Sequence, residues 1–398
     1  MHYVKLMPDI YFENTERDGC LYYLSENKVK YLAQKQNKVL GALIDQFKSI
    51  EEVTEMYGDT VDELLSELDE NGDIYIYTEN VYMEQAKKSS FVEIRGFFEE
   101  PPQFHNIYIQ VTDKCGMDCA VCQHEKTNHS CRSCFKWSCS KPSTELSHDD
   151  FINAVSQIGG LKKYAVVFSG GDPLLNTGKI IDAVKELKKS SQLCDIWIKT
   201  PVSIMPEDSF IDECKSLGVG FDIIFIGGSE EVCTAMTGDS EAYDRAEKLL
   251  KLCRSKAVEH KLSYLVSGDH KADYYDDCAE LPLENKEYNS TFSFEELKTK
   301  SVSAIEKLQR YNKCFNSTLA LDLYGNLRAC PSMDIVYGNL ADSKLYEVFR
   351  TDEMERYRRM SIDKIPVCGK CSLRYVCNSN CTKINLDRER CCYEPIDG

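Results

Sequence analysis

The sequence predicts an α/β protein: a parallel-sheet domain over residues 103–304, a small α+β unit over residues 1–90 in front of it, and a cysteine-rich tail over residues 305–398. Three observations carry this prediction. Apolar runs of strand length alternate with amphipathic stretches through the middle of the chain, as repeated strand, helix, strand units require. Helically spaced apolar residues flanked by short β-prone runs fill the first 90 residues. Twenty cysteines are present, and most are crowded into spaced arrays.

In the first unit, β-prone runs at 10–12, 21–24 and 29–32 are broken by Glu16-Arg17-Asp18-Gly19 and by Ser25-Glu26-Asn27, which reads as a meander. Val39, Leu40, Leu43, Ile44 and Phe47 then share one helical face; Ile50, Val53 and Met56 make a shorter helix, and Val61, Leu64, Leu65 and Leu68 a third. Asn71-Gly72 ends that helix, and Ile74-Tyr75-Ile76-Tyr77 reads as a returning strand or wing. In the middle unit, strand runs at 107–111, 165–168, 196–198, 221–226 and 262–266 alternate with helical stretches such as 151–158, 180–187 and 243–253. That rhythm means a parallel sheet, either an α/β barrel or a doubly wound domain, with ligands at the carboxyl ends of its strands.

Composition narrows the function classes. The chain has 398 residues, 42% of them apolar, enough for a sizeable core and, at roughly 100–200 residues per domain, for two or three domains. Lys and Arg total 48 against 65 Asp and Glu, a formal net charge of −17. That balance argues against nucleic acid held by phosphate neutralisation and suits a basic peptide better. The order of meander, three helices and returning strand resembles a winged helix, but residues 1–90 hold 9 basic and 18 acidic side chains, and residues 51–80 alone carry −11, the opposite of the sign expected of a DNA reader. Residues 1–25 contain no apolar h-region, and no apolar run approaches the roughly 18 residues of a membrane span. The expectation is a cytoplasmic protein without a membrane partner, whose reduced thiols serve metal rather than disulfides.

The run at 107–111 leads directly into Cys115-x3-Cys119-x2-Cys122. Three thiolates within eight residues can hold three irons of a cubane cluster and leave the fourth iron open to a ligand. Tetrahedral zinc wants a fourth protein ligand and usually pairs two Cys-x2-Cys knuckles. A second motif, Phe168-Ser169-Gly170-Gly171-Asp172-Pro173-Leu174, follows the next strand. Its glycines let the backbone approach a ligand, Asp172 offers a carboxylate to an ammonium, and Pro173 stiffens the turn.

The two motifs in this order resemble the radical SAM superfamily. The resemblance implies a partial (β/α)6 barrel, a [4Fe-4S] cluster on Cys115, Cys119 and Cys122, and S-adenosylmethionine bound by its amino end at Gly170, Gly171, Asp172 and Pro173. Val121 stands where the family usually has an aromatic residue, a departure that weakens packing against the adenine. By position, Thr200 and Ser203 after the third strand, and Gly227 and Ser229 after the fourth, are implied contacts to the ribose and carboxylate of the cofactor. Relatives often carry an arginine near Thr237; this sequence does not, and Lys199 is the substitute.

The tail carries Cys314-x10-Gly325-x4-Cys330 and then Cys368-x2-Cys371-x5-Cys377-x3-Cys381, closed by Cys391 or Cys392. Period-2 apolar residues over 319–330 around Tyr324-Gly325-Asn326 predict a hairpin. The array is similar to the SPASM extension of radical SAM peptide maturases. That similarity implies two auxiliary [4Fe-4S] clusters, one on Cys314, Cys330 and Cys381, the other on Cys368, Cys371, Cys377 and the last cysteine. Some relatives have a further ligand where this chain has Ala320, so an open iron is expected to hold a substrate thiolate near the radical. Zinc knuckles are the alternative for Cys368 and Cys371. Cys131, Cys134 and Cys139 have three competing readings: an extra metal site, redox-active thiols, or a loop with adventitious cysteines. Cys20, Cys194, Cys214, Cys233, Cys253 and Cys278 read as ordinary thiols.

The first unit also resembles a PqqD-like precursor-peptide recognition element, a winged helix that adds a leader strand to its sheet edge; an acidic solvated face is the bland alternative. Together the resemblances imply an enzyme that modifies a ribosomal precursor peptide through a 5′-deoxyadenosyl radical, with a flavodoxin or ferredoxin as electron donor. A sulfur-to-carbon thioether is the first expectation and a carbon-to-carbon crosslink the runner-up. Sulfatase-type maturation ranks lower, since Pro331 follows Cys330 where such enzymes usually carry a carboxylate base. The alternative outside enzymology is a zinc-binding scaffold.

Overall fold

The computed structural model describes residues 1–26, 28–86, 104–119, 137, 144–268, 271–275, 313–331, 333–358 and 360–376. Cys122, Cys131, Cys134, Cys139, Cys278, Cys377, Cys381, Cys391 and Cys392 lie outside these residues. No helix among the described residues is long and apolar enough to cross a membrane.

The amino-terminal unit contains β1 (Tyr3–Leu6), β2 (Ile10–Asn14), β3 (Gly19–Tyr23), β4 (Lys28–Leu32), α1 (Gln34–Ile44), α2 (Ile50–Tyr57), α3 (Thr60–Glu70) and β5 (Ile74–Tyr77). The expected meander forms, with β3 antiparallel to both β2 and β4. The returning strand does not join it: β5 pairs with β1, Tyr3 opposite Tyr77 and Leu6 opposite Ile74. Four residues of Tyr-Val-Lys-Leu alternate too briefly to announce a strand, and β1 is defined by a partner some seventy residues away. Ser49 starts α2 by accepting from the Glu52 amide while the Glu52 carboxylate returns to the Ser49 amide, a reciprocal cap. Val4, Leu6, Ile10, Leu21 and Leu32 meet Val39, Leu43, Val53, Val61, Leu64 and Leu68 in one core.

The central unit runs β6 (Phe104–Thr112), α4 (His148–Gly159), β7 (Lys163–Gly170), α5 (Thr177–Leu187), β8 (Asp195–Thr200), α6 (Asp208–Ser216), β9 (Val219–Ile226), α7 (Glu230–Thr237), α8 (Ala242–Lys256), β10 (His260–Gly268) and β11 (Lys271–Tyr275). Every strand run read from the sequence lies within one of the strands β6 to β10. The tail adds α9 (Lys313–Ser317), β12 (Thr318–Leu321), β13 (Asn326–Arg328), β14 (Val336–Asn339), α10 (Leu345–Val348) and α11 (Asp352–Arg358). The sheet order is β11-β10-β9-β8-β7-β6-β12-β13-β14. Strands β6 to β10 are parallel, and the sixth parallel strand is β12, beside β6 with Thr318 opposite Asn106. The sheet therefore crosses the expected boundary at 304/305. The outer edge of β6 would otherwise expose a row of unpaired backbone groups, and β12 covers it.

Strand alternation sorts the sheet into two faces. Ile107, Ile109, Val111, Val166, Phe168, Ile196, Ile198, Phe221, Ile223 and Leu262 pack under the helices with Phe151, Val155, Ile180, Val184 and Leu249. Burying each large side chain of this kind contributes about 1.5–3 kcal/mol. Residues of the other parity face away from the helices. Among them Tyr108, Val167 and Ala320 form an apolar patch covered by Trp137, whose indole N–H donates to Ser169 Oγ at 3.1 Å.

Candidate active site

Strand β6 ends at Thr112 and delivers Cys115 just past its carboxyl end. Cys115 is exposed and Cys119 buried, the latter among Ile224, Ile226, Cys233, Met236 and Ala242. Two further contacts hold this loop. The Asp118 amide donates to Thr237 O at 3.3 Å, at the end of α7. Gly116 lies against Ser203, where a Cβ would stand 3.3 Å from the serine Cβ and Oγ.

Beside the loop, β7 ends in the two glycines. Gly170 has φ +147°, and a Cβ on it would come 2.1 Å from Thr112 O; a Cβ on Gly171 would come 2.1 Å from Lys114 O. Only glycine lets these backbones meet, and the Gly171 and Asp172 amides use that closeness to donate to Thr112 O and Lys114 O at 2.9 and 2.7 Å. The glycine turn and the cysteine loop are thereby one backbone unit.

Asp172 does something other than the sequence suggested. Its carboxylate is fully buried and accepts from the Leu174 amide at 3.1 Å, Thr200 Oγ1 at 2.8 Å, and the Ser203 amide and hydroxyl at 2.6 and 2.7 Å. Both carboxylate oxygens are thus engaged by donors of this chain. Asp172 ties the end of β7 to the loop after β8, and Ser203 passes that restraint to Gly116. Thr200 and Ser203, expected at the cofactor, spend their hydroxyls on this hub. Pro173 opens a short 3-10 turn that Asp172 caps.

The remaining candidates sit on the next strands. Lys199 is nearly fully buried on the face away from the helices, opposite Asp222 in register, with Nζ 3.6 Å from the carboxylate. Ser263 Oγ donates to the same carboxylate at 2.5 Å. The structure thus brings Lys199 to Asp222 rather than to the Thr200–Ser203 corner. Ser229 caps α7 through the Val232 amide at 3.3 Å, and Gly227 turns the chain against Val232 and Cys233. Arg245, which the sequence reading passed over, reaches the corner where an arginine was sought near Thr237. Its Nε donates to Val202 O at 3.0 Å and its guanidinium pairs with Asp239. Asp222, Ser263 and Arg245 were missed. For the first two the signal was present, as polar residues at alternate positions of otherwise apolar strands.

The tail thiols occupy other places. The predicted hairpin is β12–β13, with Gly325 at φ +86° in its turn. Asp322 holds that turn by accepting from the Tyr324 and Asn326 amides and from buried Arg328 at 2.8–3.0 Å. The Leu323 amide donates to Gln110 Oε1 at 3.2 Å, fastening the hairpin to β6. Because β13 returns antiparallel, with Arg328 opposite Ala320 and Ala320 opposite Tyr108, the chain is running toward the amino end of β6 as it leaves β13 for Cys330. The backbone of Cys314, in α9, leads into the same end of β12. Tyr108 and Thr112 are four residues apart, about 13 Å of strand, which separates the point where the chain leaves β13 from the Cys115 loop. Ala320 packs with Tyr108, Val167 and Trp137 on the face away from the helices. Cys330 lies in the core under the helices. Cys368 and Cys371 are half-buried and bracket a 3-10 turn, the Cys371 amide donating to Cys368 O at 3.0 Å.

Residues 109–281 match the radical SAM superfamily and residues 313–372 match SPASM, an iron-sulfur cluster-binding domain. The first match takes in Cys115, Cys119, Cys122 and the glycine turn, and the second takes in Cys314, Cys330, Cys368 and Cys371. The residues present fit S-adenosylmethionine and iron–sulfur clusters: thiols at a strand's carboxyl end beside a glycine cradle, and a second set of cysteines in the tail. Among curated proteins the chain is similar to GTP 3′,8-cyclase of Clostridium perfringens (strain 13 / Type A), 21% identical over 180 residues, 44% of this chain and 51% of that one. The match thus spans about half the length of that relative. Among solved structures, SuiB of Streptococcus suis bound to S-adenosylmethionine aligns over 98% of this chain and 97% of its own, at 12% identity and TM-score 0.45. SuiB bound to its precursor peptide SuiA gives 12% and 0.46, over 98% of both chains. BtrN in complex with AdoMet and 2-DOIA aligns over 69% of this chain and 93% of its own, at 13% and 0.36.

Proposed function

We propose that this chain is a radical SAM enzyme that crosslinks a ribosomally made precursor peptide. The observation that carries the radical half of this reading is the joined corner of Cys115–Cys119 loop, Gly170-Gly171 turn and Asp172 hub at the carboxyl end of the parallel sheet. Cys115, Cys119 and Cys122 hold the cluster, and backbone groups of the Gly170-Gly171 turn receive the amino end of the cofactor. When bound, cluster and cofactor together supply a 5′-deoxyadenosyl radical able to take a hydrogen atom from carbon. The chain's own residues position it: Asp172 fixes the two loops, Ser203 braces Gly116, and the buried wall of Ile224, Ile226 and Met236 keeps water from Cys119.

The tail thiols hold two auxiliary [4Fe-4S] clusters, for three in all, on the residue sets Cys314, Cys330, Cys381 and Cys368, Cys371, Cys377 with Cys391 or Cys392. Residues 1–90 act as the PqqD-like, winged-helix recognition element for the leader. The outer edge of β4, paired only with β3 among the described residues, is where a leader strand adds. Electrons come from a flavodoxin or ferredoxin in the cytoplasm.

Thioether formation is the first reading of the bond. Carbon-to-carbon crosslinking is the second, and one observation favours it. The chain leaves β13 for Cys330 while running toward the amino end of β6, away from Cys115, which counts against a substrate thiolate held on that site beside the radical. Mass spectrometry of the precursor peptide encoded beside this chain, after incubation with enzyme, reductant and cofactor, tests the reading. Loss of two hydrogens is expected. A substrate cysteine that then resists iodoacetamide marks a thioether; one that still alkylates marks a carbon–carbon bond. Zinc in place of iron, with no cofactor cleavage, overturns the enzyme reading.

A further inference from the structure

The meander β2–β3–β4 has both faces covered. Ile10, Leu21, Tyr23 and Leu32 face the helices of their own unit. Tyr11, Cys20 and Tyr22 face the other way and pack against Leu373, Tyr375 and Val376, with Cys371 at the margin of the same cluster. The segment that follows Cys368 is therefore walled by the amino-terminal sheet.

Polar contacts at this wall converge on Arg374, whose side chain is 3% exposed. Its Nη2 donates to Glu13 Oε1 on β2 at 2.8 Å, its Nε to Asp363 Oδ1 at 2.6 Å, and its Nη1 to Cys371 O at 2.7 Å. Tyr22 OH donates to Ser372 O at 2.5 Å. The Tyr375 ring lies 4.6 Å from the guanidinium and its hydroxyl also donates to Asp363. A buried guanidinium that loses one carboxylate keeps its desolvation cost without the compensating contact, so it shifts or recruits water. Any shift of Arg374 is felt at the Cys371 carbonyl, because one planar fork serves both.

We propose that Glu13 and Arg374 are positioning residues for Cys371, so that the amino-terminal sheet forms one wall of the second auxiliary site. The proposal rests on the assignment of Cys368, Cys371 and Cys377 as ligands there. The full chain bearing Glu13→Gln, Arg374→Gln or Cys371→Ala is reconstituted anaerobically and compared with the parent. Readouts are iron per chain, the electron paramagnetic resonance spectrum of the reduced protein, and hydrogen exchange of residues 368–376 in the iron-free chain. Glu13→Gln, a change on β2 some 360 residues from the thiols, is expected to lower retained iron toward the Cys371→Ala level, a loss of up to about four irons, and to speed exchange over 368–376. Wild-type iron, spectrum and exchange in both Glu13→Gln and Arg374→Gln, with iron lost in Cys371→Ala, overturns the positioning role and leaves the ligand assignment standing. Wild-type iron in Cys371→Ala overturns the ligand assignment itself.

Discussion

A carboxylate with no exposure must have its charge met from inside the protein, and Asp172 meets it with four donors drawn from three residues. Breaking such a network by truncation costs about 3–5 kcal/mol. Asp172→Ala is therefore expected to lower unfolding free energy by that order and to reduce 5′-deoxyadenosine formation at least tenfold. Asp172→Asn, which keeps the shape, should cost about 1–3 kcal/mol; urea titration and chromatography of the nucleoside check both. Gly171→Ala asks a different question. Its methyl would sit 2.1 Å from Lys114 O, so the backbone leading into Cys115 must move. Cofactor cleavage should fall by a hundredfold or more while iron in the tail sites is kept. Near-normal cleavage in Gly171→Ala would mean that this close approach does not shape the site.

At the scale of elements, the hairpin β12–β13 is the joint between the parallel sheet and the cysteine-rich tail. Asp322 and Arg328 are both nearly fully buried, and the pair holds the turn that brings Cys330 back along β12. Asp322→Ala leaves the Arg328 guanidinium with one carboxylate fewer in the interior, a change of about 3–5 kcal/mol. Iron bound through Cys330 should be lost while cofactor binding at the Gly170-Gly171 turn persists, and iron analysis with equilibrium dialysis of labelled cofactor separates the two. Strands β6 to β10, the helices α4, α5 and α8, the meander and this hairpin were legible, because apolar period and turn residues are local signals. The strand β1 and the seat of β12 beside β6 were not, since each depends on a partner distant in sequence. The same limit explains Asp172: the Gly-Gly-Asp-Pro stretch announces a turn near a ligand, but only the packed loops reveal which donors claim the carboxylate.

Across the whole molecule the cysteines divide by environment, and that division can be read chemically. Burial pushes the Cys214 and Cys253 thiols up to about 12, and both lie in the core under the helices. Cys20 is raised too, again chiefly by burial. Cys115 is exposed and Cys368 and Cys371 are half-buried. In the folded, iron-free chain at pH 8, iodoacetamide should label Cys115, Cys368 and Cys371 within minutes and leave Cys20, Cys214 and Cys253 unmodified, as peptide mapping would show. Loading with iron and sulfide should then protect the first group and leave the second unchanged. Labelling of Cys214 or Cys253 at the rate of Cys115 would place them outside a packed core. The same shifts set a pH dependence. A thiol whose folded pKa lies above its unfolded value near 9 stabilises the fold fully below pH 9. That contribution is lost as pH rises toward 12, at about 1.4 kcal/mol per thiol per pH unit. Unfolding midpoints in urea should accordingly fall between pH 9 and 11, and Cys214→Ala Cys253→Ala should flatten that part of the fall.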